Sequence, residues 1–138
     1  MELEHKDPEK SKQCCRSRQE TIVVALGGNA ILQPGQSGTF EEQMENVRKT
    51  AAQLAELILS GKRLVVTHGN GPQVGRIFQQ QEIGAREGIP GMPLYVCGAM
   101  SQGQIGYMIQ QALYNELLKA GCQKTVVTLI CQSLVDPS

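Results

Sequence analysis

The chain is 138 residues long and 41% apolar, enough for one buried core and within the range of a single compact domain. Thirteen Lys and Arg balance thirteen Asp and Glu, so the formal charge is zero and no broad basic face for nucleic acid or anionic lipid is expected. Any anion recognised here must be bound locally, and no apolar stretch reaches the length of a membrane span.

In chain order, residues 1–20 mix both charge signs without an apolar run. They read as a solvated, mobile tail rather than a signal or transit peptide, so the folded domain is expected over residues 21–138 and in the cytoplasm. Five cysteines, Cys14, Cys15, Cys97, Cys122 and Cys131, form no C-x-x-C pair and no Cys/His set of metal-ligand spacing. A reducing compartment is the simpler reading, with Cys97 and Cys131 packing as small hydrophobes in or beside apolar runs.

Thr21–Leu26 (TIVVAL) is a β-branched run ending in Gly27-Gly28, as expected of a buried parallel strand entering a tight turn. A glycine-containing connection, Gln33–Gly38, leads to Thr39, with Glu42 three positions on as a capping-box signature. Met44, Val47, Ala51, Leu54, Ala55 and Ile58 then recur at helical spacing, and Gly61 suits the left-handed residue that closes a helix. Arg63–Thr67 (RLVVT) is the next strand, so strand, helix and strand form a βαβ unit with a parallel sheet.

A second helix is expected from Gln73 to about Gly84, with Pro72 in its first turn, followed by a surface loop over Gly84–Pro93. Leu94–Cys97 reads as a short strand, and a helix starting at Ser101 carries Ile105, Met108, Ile109, Ala112, Leu113 and Leu117 on one face before Gly121. Tyr107 and Met108 read as packing residues. Lys124–Ile130 (KTVVTLI) is one more strand-like run, and the sequence ends a few residues later at Ser138.

Three segments could carry chemistry. Leu26-Gly27-Gly28-Asn29-Ala30 lies at the end of a parallel strand, the edge where open α/β sheets bind ligands. Two glycines let backbone N–H groups approach an oxyanion, and Asn29 adds an uncharged donor, although a lone Gly-Gly-Asn also suits an ordinary turn. His68–Gly75 (HGNGPQVG) repeats that logic at the next strand end, where His68 is expected to be a positioned hydrogen-bonding group rather than a catalytic base. In the third, Ser101 and Gln102 can cap a helix or meet a ligand at its N-terminus.

Two nucleotide patterns fail. There is no G-x-x-x-x-G-K-[ST] motif, and although Gly69, Gly71 and Gly75 superficially suggest a dinucleotide turn, Pro72 interrupts it and no acidic residue ends the next strand at the required distance. A dinucleotide-binding module is the weaker alternative.

Taken together, VVALGGNAIL (Val23–Leu32), THGNGPQVG (Thr67–Gly75) and CGAMSQGQIGYM (Cys97–Met108) resemble carbamate kinases, within the amino-acid kinase superfamily. The likeness runs from about Thr21 to the VDP at Val135–Pro137 and matches the N-terminal portion of that family. It implies an α/β three-layer αβα sandwich with a mainly parallel sheet, here incomplete, and reversible phosphoryl transfer between ATP and carbamate to give ADP and carbamoyl phosphate. Magnesium would accompany the nucleotide, and the family is usually homodimeric.

By the family pattern, Gly27, Gly28 and Asn29 would bind the phosphoryl group. Gly69, Asn70 and Gly71 would hold the substrate, and Ser101 and Gln102 would border its pocket. Family members are roughly twice this length. Their charge-neutralising lysines follow the VDP segment, at positions that would lie beyond Ser138, and Ala25 and Leu26 stand where a related branch has a strand lysine. No residue is therefore assigned a catalytic role with certainty. The isolated chain is expected to be inactive, or alternatively to act as a non-catalytic partner of a full-length kinase.

Overall fold

The computed structural model describes residues 20–136. Expectations about residues 1–19, including Cys14 and Cys15, and about Pro137 and Ser138 lie outside the described residues. The folded domain expected to run to Ser138 is thus described as far as Asp136, and the expectation that the family lysines lie beyond Ser138 concerns no described residue. The elements run β1 (Thr21–Leu26), a 3-10 turn (Gly28–Ala30), α1 (Phe40–Leu59), β2 (Arg63–His68), α2 (Gly71–Arg86) and α3 (Leu94–Lys119).

β1 and β2 pair in parallel, from Thr21 opposite Arg63 to Leu26 opposite His68. Glu20 fixes the entry to the ladder: its carbonyl accepts from Arg63 N–H at 2.9 Å and its carboxylate pairs with Lys62. Alternation along both strands turns Val24, Leu26, Leu64 and Val66 onto the helices, while Val23 and Val65, 66% and 49% exposed, lie on the other face. The strands are thus covered on one face only among the described residues. This is the mixed α/β class expected, in incomplete form.

Each helix stops for a local reason, and α1 also starts for one. Thr39 and Glu42 form the expected capping box at α1, with Thr39 Oγ1 accepting from Glu42 N–H while the Glu42 carboxylate accepts from Thr39 N–H. Gly61, Gly88 and Gly121 follow the three helices with φ of 93°, 81° and 70°. In each case the glycine N–H and the next residue's N–H bond back into the last turn, as Gly61 N to Ile58 O and Lys62 N to Leu57 O do, the paired closure that a left-handed residue permits.

The core joins α1 to α3 over the inner face of the sheet. Val47, Leu54, Ile105, Leu113 and Leu117 are almost fully enclosed, each such side chain contributing roughly 1.5–3 kcal/mol of transfer free energy. No helix among the described residues is long and apolar enough to cross a membrane.

Several expectations are corrected. Leu94–Cys97 is not a strand but the first turn of α3, which follows Pro93, so Ser101 lies inside the helix and caps nothing. The reason is that Cys97, Ser101, Ile105, Met108 and Ile109 form one continuous buried stripe; the polar side chain at Ser101 disguises its continuity in sequence. Lys124–Ile130 alternates in burial, yet it joins no ladder among the described residues; it lies along α3, with Val126 against the core and Thr128 against Gly106. Cys131 and Tyr107 are exposed rather than packed, whereas Cys97 and Met108 are buried as expected. α2 is also two residues longer at each end than its pattern suggests.

Candidate functional site

Because Leu26 and His68 are register partners, the chain leaves both strands at the same edge, and the Gly27 and Gly69 turns begin side by side. That is the arrangement the two sequence motifs require. After Leu26 the backbone tightens into a 3-10 turn, with Ala30 N bonding Gly27 O and Ile31 N bonding Gly28 O, both at 3.0 Å. The N–H groups of Gly28 and Asn29 donate to no acceptor among the described residues.

After His68 the chain enters α2 through Asn70 as N-cap and Gly71 as first residue. Val74 N makes the first bond, to Asn70 O at 2.9 Å; Pro72 has no N–H, so Gly71 and Gln73 keep the unpaired donors of the first turn. Two sets of orphan N–H groups therefore stand on adjacent strand ends, one of them at the positive end of a 16-residue helix.

The glycines in these turns are not required by the fold. None of Gly27, Gly28, Gly69 and Gly71 has positive φ, and a Cβ built on any of them would meet no atom within 4 Å. Their missing side chains leave open space in the two turns that carry the unpaired N–H groups.

His68 turns back on its own loop, its Nδ1 lying 3.0 Å from Gly69 O. The ring thus has a partner within its own loop, consistent with the positioned hydrogen-bonding group expected from sequence. Asn70 reaches α3 instead of capping α2: its Nδ2 donates to Ser101 Oγ at 2.7 Å, and Ser101 donates to Gly98 O at 2.7 Å. Of the third motif, then, Ser101 joins the β2 turn through Asn70. Gln102 does not, because its carboxamide is occupied by the Cys131 backbone, accepting from Cys131 N at 2.8 Å and donating to Cys131 O at 3.3 Å.

Sequence reasoning missed the polar frame that holds the connection after the glycine turn. Buried Gln43 donates to Gly38 O at 2.9 Å and accepts from buried Gln73 at 3.0 Å, while buried Asn46 donates to Ile31 O at 3.1 Å. Arg76 donates to Gly38 O at 2.8 Å and to Ser37 O. The signal was available: Gln43 and Asn46 sit beside Met44 and Val47 on the apolar face of α1, where an unsatisfied polar group would be costly. Among the described residues no buried side-chain polar atom lacks a partner. Beside this frame, Leu32, Phe40, Pro72, Arg76, Ile77 and Gln104 are among the residues lining a cavity of about 250 Å³.

None of Gly27–Ala30, Gly69–Gly71 and Gly98–Gly103 contains a Lys, Arg, Asp or Glu. The site offers oriented neutral donors without a formal charge. No group of three His, Cys, Asp or Glu side chains among the described residues could hold a metal ion.

Comparisons with known proteins bear on the family. Residues 20–131 match the amino acid kinase family. Carbamate kinase of Pyrococcus horikoshii is 61% identical over 118 residues, 85% of this chain and 38% of the relative. The structure of Giardia carbamate kinase superposes with a TM-score of 0.82 at 45% identity, covering 88% of this chain and 40% of that one. A Giardia lamblia carbamate kinase bound to AMP-PNP also superposes at 0.82, covering 87% of this chain and 42% of that one, again at 45% identity. The chain thus spans about 38% of the length of the curated relative it matches.

Proposed function

The chain belongs to the amino acid kinase family, and from that premise we propose that its two strand-end turns form the phosphoryl and acceptor side of a carbamate kinase-type phosphotransferase. The reaction is ATP + carbamate to and from ADP + carbamoyl phosphate. The Gly28 and Asn29 N–H groups lie against the phosphoryl being transferred, those of Gly71 and Gln73 help hold that same group, and Asn70 meets the carbamoyl end. The observation that carries this reading is the pairing of Leu26 with His68, which starts both open glycine turns at one edge.

Phosphoryl transfer asks little covalent work of a protein; rate comes from alignment and from stabilising charge on the equatorial oxygens. The orphan N–H groups supply the alignment and part of the stabilisation. Nucleotide as the donor is supported by the relative bound to AMP-PNP. The residues of the three loops do not fit a magnesium site, since none is a carboxylate, and no step is derived through the ion.

The loops also lack any cation, so we infer that these 138 residues alone position the substrate but do not turn it over. The test is to incubate the purified chain with ADP and carbamoyl phosphate while recording backbone amide shifts during titration with inorganic phosphate. ATP at the level of a buffer control is expected, together with shifts at Gly28, Asn29, Gly71 and Gln73. ATP well above the control overturns the inactivity, and phosphate that moves none of these amides overturns the cradle.

A second reading, a non-catalytic subunit, is favoured by the exposed sheet face at Val23 and Val65 and by exposed Val127, Leu129 and Ile130. It predicts a chain that is monodisperse only with a full-length kinase. A monodisperse chain on its own removes it.

A further inference from the structure

Ser101 is 0% exposed, and its hydroxyl lies 2.7 Å from both Gly98 O and Asn70 Nδ2. At 2.7 Å two oxygens are in hydrogen-bond contact only if a proton lies between them, and Gly98 O cannot supply it. The serine proton is therefore committed to Gly98 O, and Ser101 Oγ can only accept from Asn70. That requires the amide nitrogen of Asn70, not its oxygen, to face α3.

A second observation concerns what Asn70 gives up. Asn at an N-cap normally turns its Oδ1 onto the N–H two or three residues on, which stabilises the helix. Here the side chain makes no capping bond, although it occupies the N-cap of α2, and the N–H of Gln73 is left unpaired. Asn70 Oδ1 has no partner among the described residues. The result is a fixed acceptor beside unpaired donors, in a turn whose Gly69 and Gly71 leave open space.

We propose that Ser101 is a positioning residue that locks the Asn70 carboxamide with its oxygen outward, so that the site selects an acyl phosphate bearing an N–H group over one bearing a methyl in its place. This rests on the function proposed above and extends it to specificity. The phosphoryl end meets only donors, whereas the acyl substituent meets an acceptor. An NH2 substituent satisfies Oδ1; a methyl of nearly the same size leaves it desolvated and unpaired, the situation in which a site discriminates most strongly. If the amide were free to flip, Nδ2 could face the ligand instead and the preference would vanish.

The test uses the whole chain and hydrolytically stable ligands: phosphonoacetamide, its methyl ketone counterpart 2-oxopropylphosphonate, and inorganic phosphate, each titrated by NMR. The expected result is binding of the amide at least about tenfold tighter than the ketone. Ser101→Ala should bring that ratio close to one while leaving phosphate affinity unchanged, an outcome that a merely structural serine would not give. Equal affinity for amide and ketone in the wild-type chain overturns the inference and leaves the phosphate cradle standing. Failure to bind any of the three ligands overturns the cradle and the inference with it. Should Ser101→Ala not fold, the wild-type chain still decides the orientation: the Asn70 carboxamide protons are expected to be protected from hydrogen exchange by Ser101. Exchange as fast as that of a free primary amide overturns the lock.

Discussion

Gly71 separates two reasons for being glycine. As the first residue of α2 it has ordinary φ, and a Cβ would meet nothing within 4 Å, so Gly71→Ala is expected to stabilise the fold by roughly 0.4–1 kcal/mol by restricting the unfolded chain. The same methyl would take up open space in the turn and should weaken phosphate binding at least about tenfold, about 1.4 kcal/mol. Urea denaturation and phosphate titration of one variant read both effects, whose opposite signs mark a residue kept for a ligand. A variant that is less stable and still binds phosphate normally would show that the glycine serves the fold. Gly38 differs: its φ is 77°, and a Cβ there would lie 2.3 Å from Arg76 Nη1.

The capping box of α1 gives the fold a dependence on pH. The Glu42 carboxyl is held below its ordinary value of 4.5, first by the Thr39 N–H and further by Gly38 N–H and the Ser37 hydroxyl. Its folded value lies below its unfolded one, so its contribution is fully present above about pH 4.5 and is lost as pH falls through the lowered value. Glu20 and Glu45 are lowered as well, each chiefly by its hydrogen bond to a lysine, Lys62 and Lys49. Thermal midpoints measured between pH 5 and pH 2.5 should therefore fall in the wild-type chain and fall less in Glu42→Gln, which keeps an acceptor at N3 without a titrating group. Identical slopes would remove Glu42 from the acid transition.

α3 carries the other device at this scale, a close approach by the segment after it. A Cβ at Gly106 would lie 2.2 Å from Thr128 Cγ2 and 3.1 Å from its Oγ1, so Gly106→Ala should drive residues 126–131 off the helix without unwinding α3. Hydrogen exchange is expected to rise at Cys131 N–H, which the Gln102 carboxamide now accepts, and to stay unchanged at Ile109 and Leu113. Adding Thr128→Ala should restore protection, because it removes the two nearest atoms; failure to restore it would place the cause elsewhere.

At the scale of the whole molecule, the sheet formed by the described residues has two strands, with Val23 and Val65 exposed on one face. Such a surface invites association. Val23→Thr combined with Val65→Thr keeps β-branched side chains while halving their apolar surface, and should reduce concentration-dependent light scattering with little change in the helical circular dichroism. Scattering that is unaffected would locate the sticky surface on the exposed apolar residues from Val127 to Val135 instead.

What residue order settled unaided is local: the capping box at Thr39 and Glu42, the left-handed closures at Gly61 and Gly121, the amphipathic face of α1, and glycine turns after both strands. Each depends on groups within a few positions of one another, where the backbone itself sets the geometry. Only the packed structure decided where α3 begins, since Ser101 can be read as a cap until its burial beside Cys97 and Ile105 is seen. Only packing, likewise, sent the Asn70 side chain to a partner 31 residues away and engaged Gln102 with Cys131 at a separation of 29. A polar side chain pairs with whatever the fold brings within about 3 Å, and contacts between distant segments leave no periodic trace along the chain.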